Sequence, residues 1–372
     1  MLIDAIALRR EVDSQTLSGV IDGFELWYRF PRGVKATITG NPFLAAALIP
    51  AMLKGEAICV SEEYRVSPLM LRGIDELQSI LCCWDPRLRK VAIESGTEPA
   101  MPLNDGVASF FSGGVDGSYT FLKHEAAITH LLFVHGIDMQ VDDDSVFKLA
   151  LAENAAFAKS RGKRLVTIAT NLRRFCHAYG VPWTVYHGTG LASIGLALGF
   201  RAVFIAASLT YAEMIPWGSH PLTDRLWSTE ATQFVHDGAE AKRCDKIKAI
   251  SGAEDALSIL RVCWQDVSYN CGECEKCLRT RVALRLLNLH TSTLARLESC
   301  DQVRRLTIWD DNDLAMFAEN LNLARQVGDQ ELVKTLQSCV RKYKMRKALK
   351  AIDETLLNGH LNRWRNSFRR SP

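Results

Sequence analysis

The chain has 372 residues, 48% of them hydrophobic and 23% charged, with a formal net charge of +3. This is the balance of a soluble globular protein with ample apolar material for a core, and the length points to roughly two or three domains. So small a net charge excludes a partner chosen by whole-chain attraction to a polyanion.

At the N-terminus, MLIDAIALRREVD sets Asp4 where an export signal needs a basic region, and it breaks before an apolar stretch forms. Residues 1–104 read as an N-terminal α/β region. ELWYRF (25–30) and EAICVSEEY (56–64) have strand patterns. NPFLAAALIPAMLKG (41–55) reads as a helix capped by Asn41, closed by Gly55 and interrupted by Pro50. LMLRGIDELQSILCCW (69–84) reads as a second helix and KVAIES (90–95) as a strand. Pro99, Pro102 and Asn104-Asp105-Gly106 then mark a linker.

Residues 105–290 alternate strand and helix. GVASFF is a strand, SYTFLKHEAA a helix and HLLFVHG (130–136) a strand. DSVFKLALAENAAFAKSRG (144–162) is a helix between Asp144 and Gly162, and RLVTIATN (164–171) a strand. WTVY is strand-like, GLASIGLALG (190–199) helical and AVFIAASL (202–209) a strand. Gly195, Gly199 and Arg201 punctuate this most apolar stretch and argue for a buried helix and strand over a membrane span. The alternation predicts an α/β fold: a Rossmann-like parallel sheet with helices on both faces. Ligands of such sheets sit beyond the carboxyl ends of the strands, which singles out Ser112 to Ser118, Asp138, Asn171 and Ser208. Residues 291–372 read as a helical, basic C-terminal region.

FFSGGVDGSYTF (110–121) joins the first apolar strand of the alternating region to a helix. Amides at a helix start point outward with the positive end of the helix dipole behind them. Glycine lets an anion approach closely, and Ser112 and Ser118 add hydroxyls. A phosphate-binding turn is therefore expected, against the plainer reading of a turn without a ligand. The P-loop pattern Gly-x-x-x-x-Gly-Lys-Ser/Thr is absent from the chain. HGTGLASIG (187–195) misplaces the third glycine of a dinucleotide fingerprint.

The chain has eleven cysteines, and an odd number without an export signal argues for a reducing, cytoplasmic compartment. Four of them, Cys263, Cys271, Cys274 and Cys277, stand as C-x7-C-x2-C-x2-C. Such spacing suits tetrahedral structural zinc, with an iron–sulfur cluster as the alternative. The other seven read as buried small hydrophobes.

SGGVD resembles the Ser-Gly-Gly-x-Asp-Ser loop of the PP-loop ATP pyrophosphatases, an adenine nucleotide alpha hydrolase-like fold. Together with the late cysteine run it is similar to the 7-cyano-7-deazaguanine synthase branch, over roughly residues 105–290. The resemblance implies ATP, Mg²⁺ and Zn²⁺ as cofactors. It implies Ser112, Asp116 and Ser118 as catalytic, and Ser112, Gly113, Gly114, Val115, Asp116, Gly117 and Ser118 around the nucleotide, where the strand-end positions of Asp138 and Asn171 also place them. Gly117 stands where the family has serine, and Ser118 follows it. The activity implied is adenylation of a carboxylate with release of pyrophosphate, followed by attack of ammonia or an amine. The alternatives are transfer of a deazapurine-like acyl group to a protein or other acceptor, and thiolation of tRNA.

Between the two motifs, residues 217–247 are rich in polar groups and carry two tryptophans. Long loops in compact domains are usually functional or disordered, and tryptophans disfavour disorder. This stretch is expected to face the substrate through His220, Asp224, Arg243 and Lys246. Glu240, Arg243 and Lys246 follow one another at spacing three, one face of a helix. From Arg341 to the end there are ten Lys/Arg, opposed by Asp353 and Glu354. That run reads as a solvated face, with contact to nucleic acid or an acidic partner as its alternative. The expected partners are thus a small carboxylic acid and an ammonia or amine donor, with no membrane.

Overall fold

A computed structural model of the chain describes residues 1–265, 267–308 and 311–356. Two compact units divide it, Met1–Tyr269 and Asn270–Pro372. The first is built on one ten-stranded sheet. It opens with an antiparallel meander of β1 (Leu2–Arg10), β2 (Ser14–Ile21) and β3 (Phe24–Pro31). There follow α1 (Asn41–Lys54), β4 (Ile58–Val60), β5 (Arg65–Val66), α2 (Pro68–Trp84), β6 (Ile93–Glu94) and β7 (Gly96–Thr97). The alternating region supplies β8 (Asn104–Phe110), α3 (Val115–Lys123), β9 (His130–His135), α4 (Ser145–Ser160), β10 (Arg164–Thr170) and α5 (Leu172–Ala178). After these come α6 (Trp183–Leu198), β11 (Phe200–Ala206), a 3-10 turn (Asp224–Trp227), β12 (Gln233–Asp237), α7 (Arg243–Ile250) and α8 (Glu254–Ser258).

The strand order is β12-β11-β8-β9-β10-β3-β2-β1-β4-β6, and β5 pairs with β7 apart from it. β8 to β12 are all parallel to their neighbours within this set. Their order reverses at β8, with β9 and β10 on one side and β11 and β12 on the other. The chain is α/β with a mostly parallel sheet, compatible with a Rossmann-like fold.

Both faces of the sheet are covered. Successive strand side chains point to opposite faces, and Val107 packs with Phe111, Phe121, Leu131, Phe157 and Phe204 in one apolar cluster. Its neighbour Ala108 belongs to a second cluster with Leu132, Val203 and the residues of α1 and α6. α1 is buried along nearly its whole length, as is the C-terminal part of α6. That accounts for the apolar stretch 190–209 without a membrane, since a helix apolar all round is a core helix. Among the described residues no helix is long and apolar enough to cross a bilayer.

The sheet continues into the meander through a short antiparallel pairing, Ala169 with Arg29 and Thr170 with Tyr28. Side chains extend it. Thr170 Oγ1 donates to Trp27 O at 2.8 Å, and the Asn171 amide accepts from Trp27 N at 3.0 Å and donates to Glu25 O at 2.8 Å.

Several expected elements differ. WTVY is the first turn of α6, entered from Pro182, so its aromatic and β-branched residues do not mark a strand. EAICVSEEY and KVAIES shrink to β4 and β6. α1 is capped by Gly40, while Asn41 lies inside it and accepts from Ser67 N at 2.8 Å. α3 begins three residues ahead of the expected helix, directly on the glycine turn. The polar stretch 217–247 contains β12, which no alternation announces. Glu240 precedes α7, while Arg243 and Lys246 lie within it.

The second unit holds α9 (Glu275–Leu286), α10 (Asp301–Arg304), α11 (Asp311–Val327) and α12 (Gln330–Leu356). They share an apolar core that includes Leu278, Phe317, Leu336 and Tyr343. The basic residues Arg363, Arg365, Arg369 and Arg370 lie outside the described residues.

Gly188 shows why α6 carries glycine. A β-carbon there would stand 1.9 Å from Gly218 O, and Gly218 N donates to Thr184 O at 3.1 Å. The glycine lets the 217–224 segment seat directly on the helix backbone. Gly188→Val should lower the melting temperature by on the order of 5–10 °C, from an overpacking cost near the top of roughly 1–3 kcal/mol. An unchanged melt in differential scanning calorimetry would contradict this contact.

Candidate functional site

The glycine turn lies at the carboxyl end of β8, beside β11, where the strand order reverses. Crevices of this kind are where open α/β sheets bind ligands. Gly113 sits at φ +73, a conformation that glycine adopts without strain. A β-carbon on it would lie 3.0 Å from Ile259 O and 3.4 Å from Asn154 Oδ1. Gly114 caps α3 in an extended conformation. It has no side chain to accept from the amides of the first turn, so the helix start carries no side-chain cap from its N-cap residue. The turn is held in place from below by Arg261, whose main-chain N–H donates to Gly113 O at 2.9 Å.

Asp116, in the first turn of α3, faces two cations of α7. Arg243 Nη1 lies 2.9 Å from its Oδ2 and Lys246 Nζ 3.1 Å from its Oδ1. Lys246 also donates to Ala207 O, just past β11, at 2.6 Å. Its side chain is only 2% exposed, so the ammonium depends on these partners. Three residues expected at the site on separate grounds are thus brought into one cluster.

Beside this pair stands a second network. Asp237, the last residue of β12, accepts from Thr120 Oγ1, Lys123 Nζ and His124 Nε2, each at 2.9 Å. Lys123 also reaches Glu240, which accepts from Tyr119 OH. Burial raises the pKa of Asp237, but the hydrogen bonds from His124, Lys123 and Thr120 outweigh it and hold the carboxyl below its usual range. Together these bonds tie β12 to the body of α3.

Four residues around the turn carry buried side-chain atoms without a hydrogen-bond partner: Ser118 Oγ, Asn154 Oδ1, Arg243 Nε, and both Nε and Nη2 of Arg261. Ser118 and Asn154 are fully buried and Arg261 is 4% exposed. Buried polar groups are nearly always satisfied, so a cluster of unsatisfied ones marks a place where an outside group fits. Ser118 lies within α3 with its hydroxyl buried. At Gly117 a β-carbon would approach Phe110 O to 3.3 Å, so the turn leaves little room for a side chain there.

The remaining expected residues have other partners. Ser112 and Val115 flank the glycines, half-buried and buried. Asp138 is exposed past the end of β9. Asn171 lies two strands from β8, with its amide taken up by the β3 backbone. Asp224 is fully buried and accepts from Ser219 Oγ at 2.6 Å, His236 Nδ1 at 2.8 Å and His220 N at 3.1 Å. His220 packs its ring edge on Trp84, and burial lowers its pKa. Asp224 and His220 thus belong to a knot that orders the segment, while Arg243 and Lys246 meet the turn's own acid.

Asn154 and Arg261 were not among the expected site residues. Asn154 occupies the buried stripe of α4 with Val146, Ala150, Phe157 and Ala158, where an amide is out of place. That position was the available signal.

The four clustered cysteines converge. The sulfurs of Cys263, Cys271, Cys274 and Cys277 all lie within 4.8 Å of one another. Cys271 and Cys277 are 3.9 Å apart. A tetrahedral zinc with Zn–S near 2.3 Å holds its sulfurs about 3.8 Å apart, so the donor set fits one such ion. Of the other seven, Cys176, Cys244, Cys300 and Cys339 are buried, Cys59 and Cys82 are half-buried, and Cys83 is exposed.

No protein-family model matches the chain, and neither a curated protein nor a solved structure matches it.

Two outcomes follow from these groups. Elemental analysis of purified protein should find about one zinc per chain, and Cys277→Ser should reduce it several-fold. Two or more irons per chain together with acid-labile sulfide would contradict the single-ion geometry. Asp237→Asn should cost about 2 kcal/mol at pH 7. Because the folded pKa is depressed, this stabilisation is present above the ordinary Asp pKa and lost as pH falls through the folded value. Wild-type and variant melting temperatures should therefore converge in strong acid. A gap that is independent of pH would show that Asp237 is held for its shape alone.

Proposed function

We propose that the chain activates a carboxylate with ATP, releases pyrophosphate, and joins the acyl group to ammonia or an amine. The observation that carries this reading is the glycine turn at the reversal of strand order. It combines uncapped helix-start amides, two cations on Asp116 and buried side-chain atoms without partners. Its resemblance to the loop of the PP-loop pyrophosphatases supplies the reaction class.

A carboxylate is a poor electrophile, because its charge repels nucleophiles and oxide is a poor leaving group. In the reaction proposed, a carboxylate oxygen attacks the α-phosphorus of ATP. The bond from that phosphorus to the bridging oxygen breaks, and pyrophosphate leaves with the electron pair. The amides of residues 114–116, the Ser112 hydroxyl and the cations of α7 would stabilise the charge building on pyrophosphate. Nitrogen then attacks the acyl carbon, the bond to AMP breaks, and the amine proton passes to solvent. A second activation, at the amide oxygen, would lead to a nitrile.

Asp116 would set the cations rather than react. Its carboxylate holds Arg243 and Lys246 in position before ATP arrives, so little reorganisation is needed when charge develops. That carboxylate already faces two cations, so the described residues of the turn do not form a magnesium site. Mg²⁺ would arrive on the nucleotide's phosphates and offset part of their charge. The four cysteines would hold Zn²⁺ as a structural ion that steadies the segment 263–277.

A pyrophosphate-release screen across carboxylic acids, with ATP and ammonium, tests the proposal. Release should depend on one class of acid and fall about a hundredfold or more in Lys246→Met and Asp116→Ala. Mass spectrometry of the products separates a small amide or nitrile from a conjugated protein. Release that needs tRNA would move the reading to thiolation, and no release with any acid would overturn it.

A further inference from the structure

We infer that Arg261 is an anion-binding residue of the glycine turn, and that it contacts the pyrophosphate portion of the nucleotide. The inference rests on the ATP reading above and adds a residue that lies in neither of the motifs behind it.

Three observations lead there. The first is position. The Arg261 main chain is bonded to Gly113 at 2.9 Å, and its carbonyl lies 3.4 Å from where a β-carbon on Gly114 would stand. Its side chain therefore starts at the floor of the turn. The second is charge. The residue is 4% exposed, its Nε and Nη2 are buried with no hydrogen-bond partner, and no ion pair involves it among the described residues. Burying an unpaired cation is strongly unfavourable, whereas a bound oxyanion supplies the missing partner. The third is company. Asn154 and Ser118, both fully buried, also leave side-chain atoms unpartnered at this turn. Asn154 is the side chain that faces Gly113.

The charges around the turn agree. Asp116 is shared by Arg243 and Lys246, so these three side chains together carry about one unit of positive charge. Arg261 adds a second, and the start of α3 a further fraction. An oxyanion that presents several neighbouring oxygens, as pyrophosphate does, matches these donors better than a carboxylate does. Arginine also suits the task by shape, because its planar fork can donate two parallel hydrogen bonds to neighbouring phosphate oxygens.

The test is calorimetric binding of ATP, inorganic pyrophosphate and AMP to wild type, Arg261→Met and Arg261→Lys, with melts recorded in parallel. Arg261→Met should weaken pyrophosphate and ATP by about tenfold or more and leave AMP within about twofold. Arg261→Lys should fall between. Without anion, Arg261→Met should melt at the wild-type temperature or above it, because a buried unpaired cation has been removed. With saturating pyrophosphate the order should reverse. Equal pyrophosphate affinity in wild type and either variant would overturn the role of Arg261 while leaving the ATP reading intact. Wild type that binds neither ATP nor pyrophosphate would overturn both. Should Arg261→Met fail to fold, Arg261→Lys decides, since unchanged affinity there contradicts recognition by the fork.

Discussion

Positive charge gathered under a backbone turn is the constraint around which this region is organised. Gly113 takes a left-handed conformation with Ile259 and Asn154 against it, and Gly114 opens α3 without a cap. Beneath and beside them lie Arg243, Lys246 and Arg261, with one carboxylate, Asp116, between the first two. A buried guanidinium whose Nε and Nη2 lack hydrogen-bond partners is unfavourable on its own. We propose that the polyphosphate of ATP supplies the missing partners.

The sheet explains how such residues meet. β8 and β11 are neighbours only because the strand order reverses between them. The turn after β8 and the segment after β11 therefore open on the same edge. Lys246 joins them, bonded to Asp116 on one side and Ala207 on the other. β12 adds Asp237, whose bonds to Thr120, Lys123 and His124 fix α3 at its C-terminal half. On the far side, β10 meets the N-terminal meander, and Asn171 serves that junction.

What the sequence made legible follows from what is local. β8 to β11 are apolar runs bounded by turn residues, and the glycines, Asp116 and the cysteine spacing are contiguous patterns. The pairing of Arg243 and Lys246 with Asp116 spans well over a hundred residues, and only the choice of those cations was visible. β12 was missed because QFVHD mixes buried and polar side chains on a strand at the sheet's edge. WTVY misled because aromatic and β-branched residues also fit the first turn of a helix packed among other aromatics. Arg261 was hidden beside a louder motif two residues on. Asn154 was hidden in a helix whose other buried positions are apolar. Both became visible only as buried atoms without partners, a property of the folded chain.

The central claim is that the turn grips the β- and γ-phosphates. A crystal structure with a non-hydrolysable α,β-methylene analogue of ATP tests it directly. The account predicts these phosphates within hydrogen-bond distance of the amides of residues 114–116 and of Lys246 or Arg243. A nucleotide bound elsewhere, or a turn closed on its own side chains in the presence of saturating analogue, would contradict it.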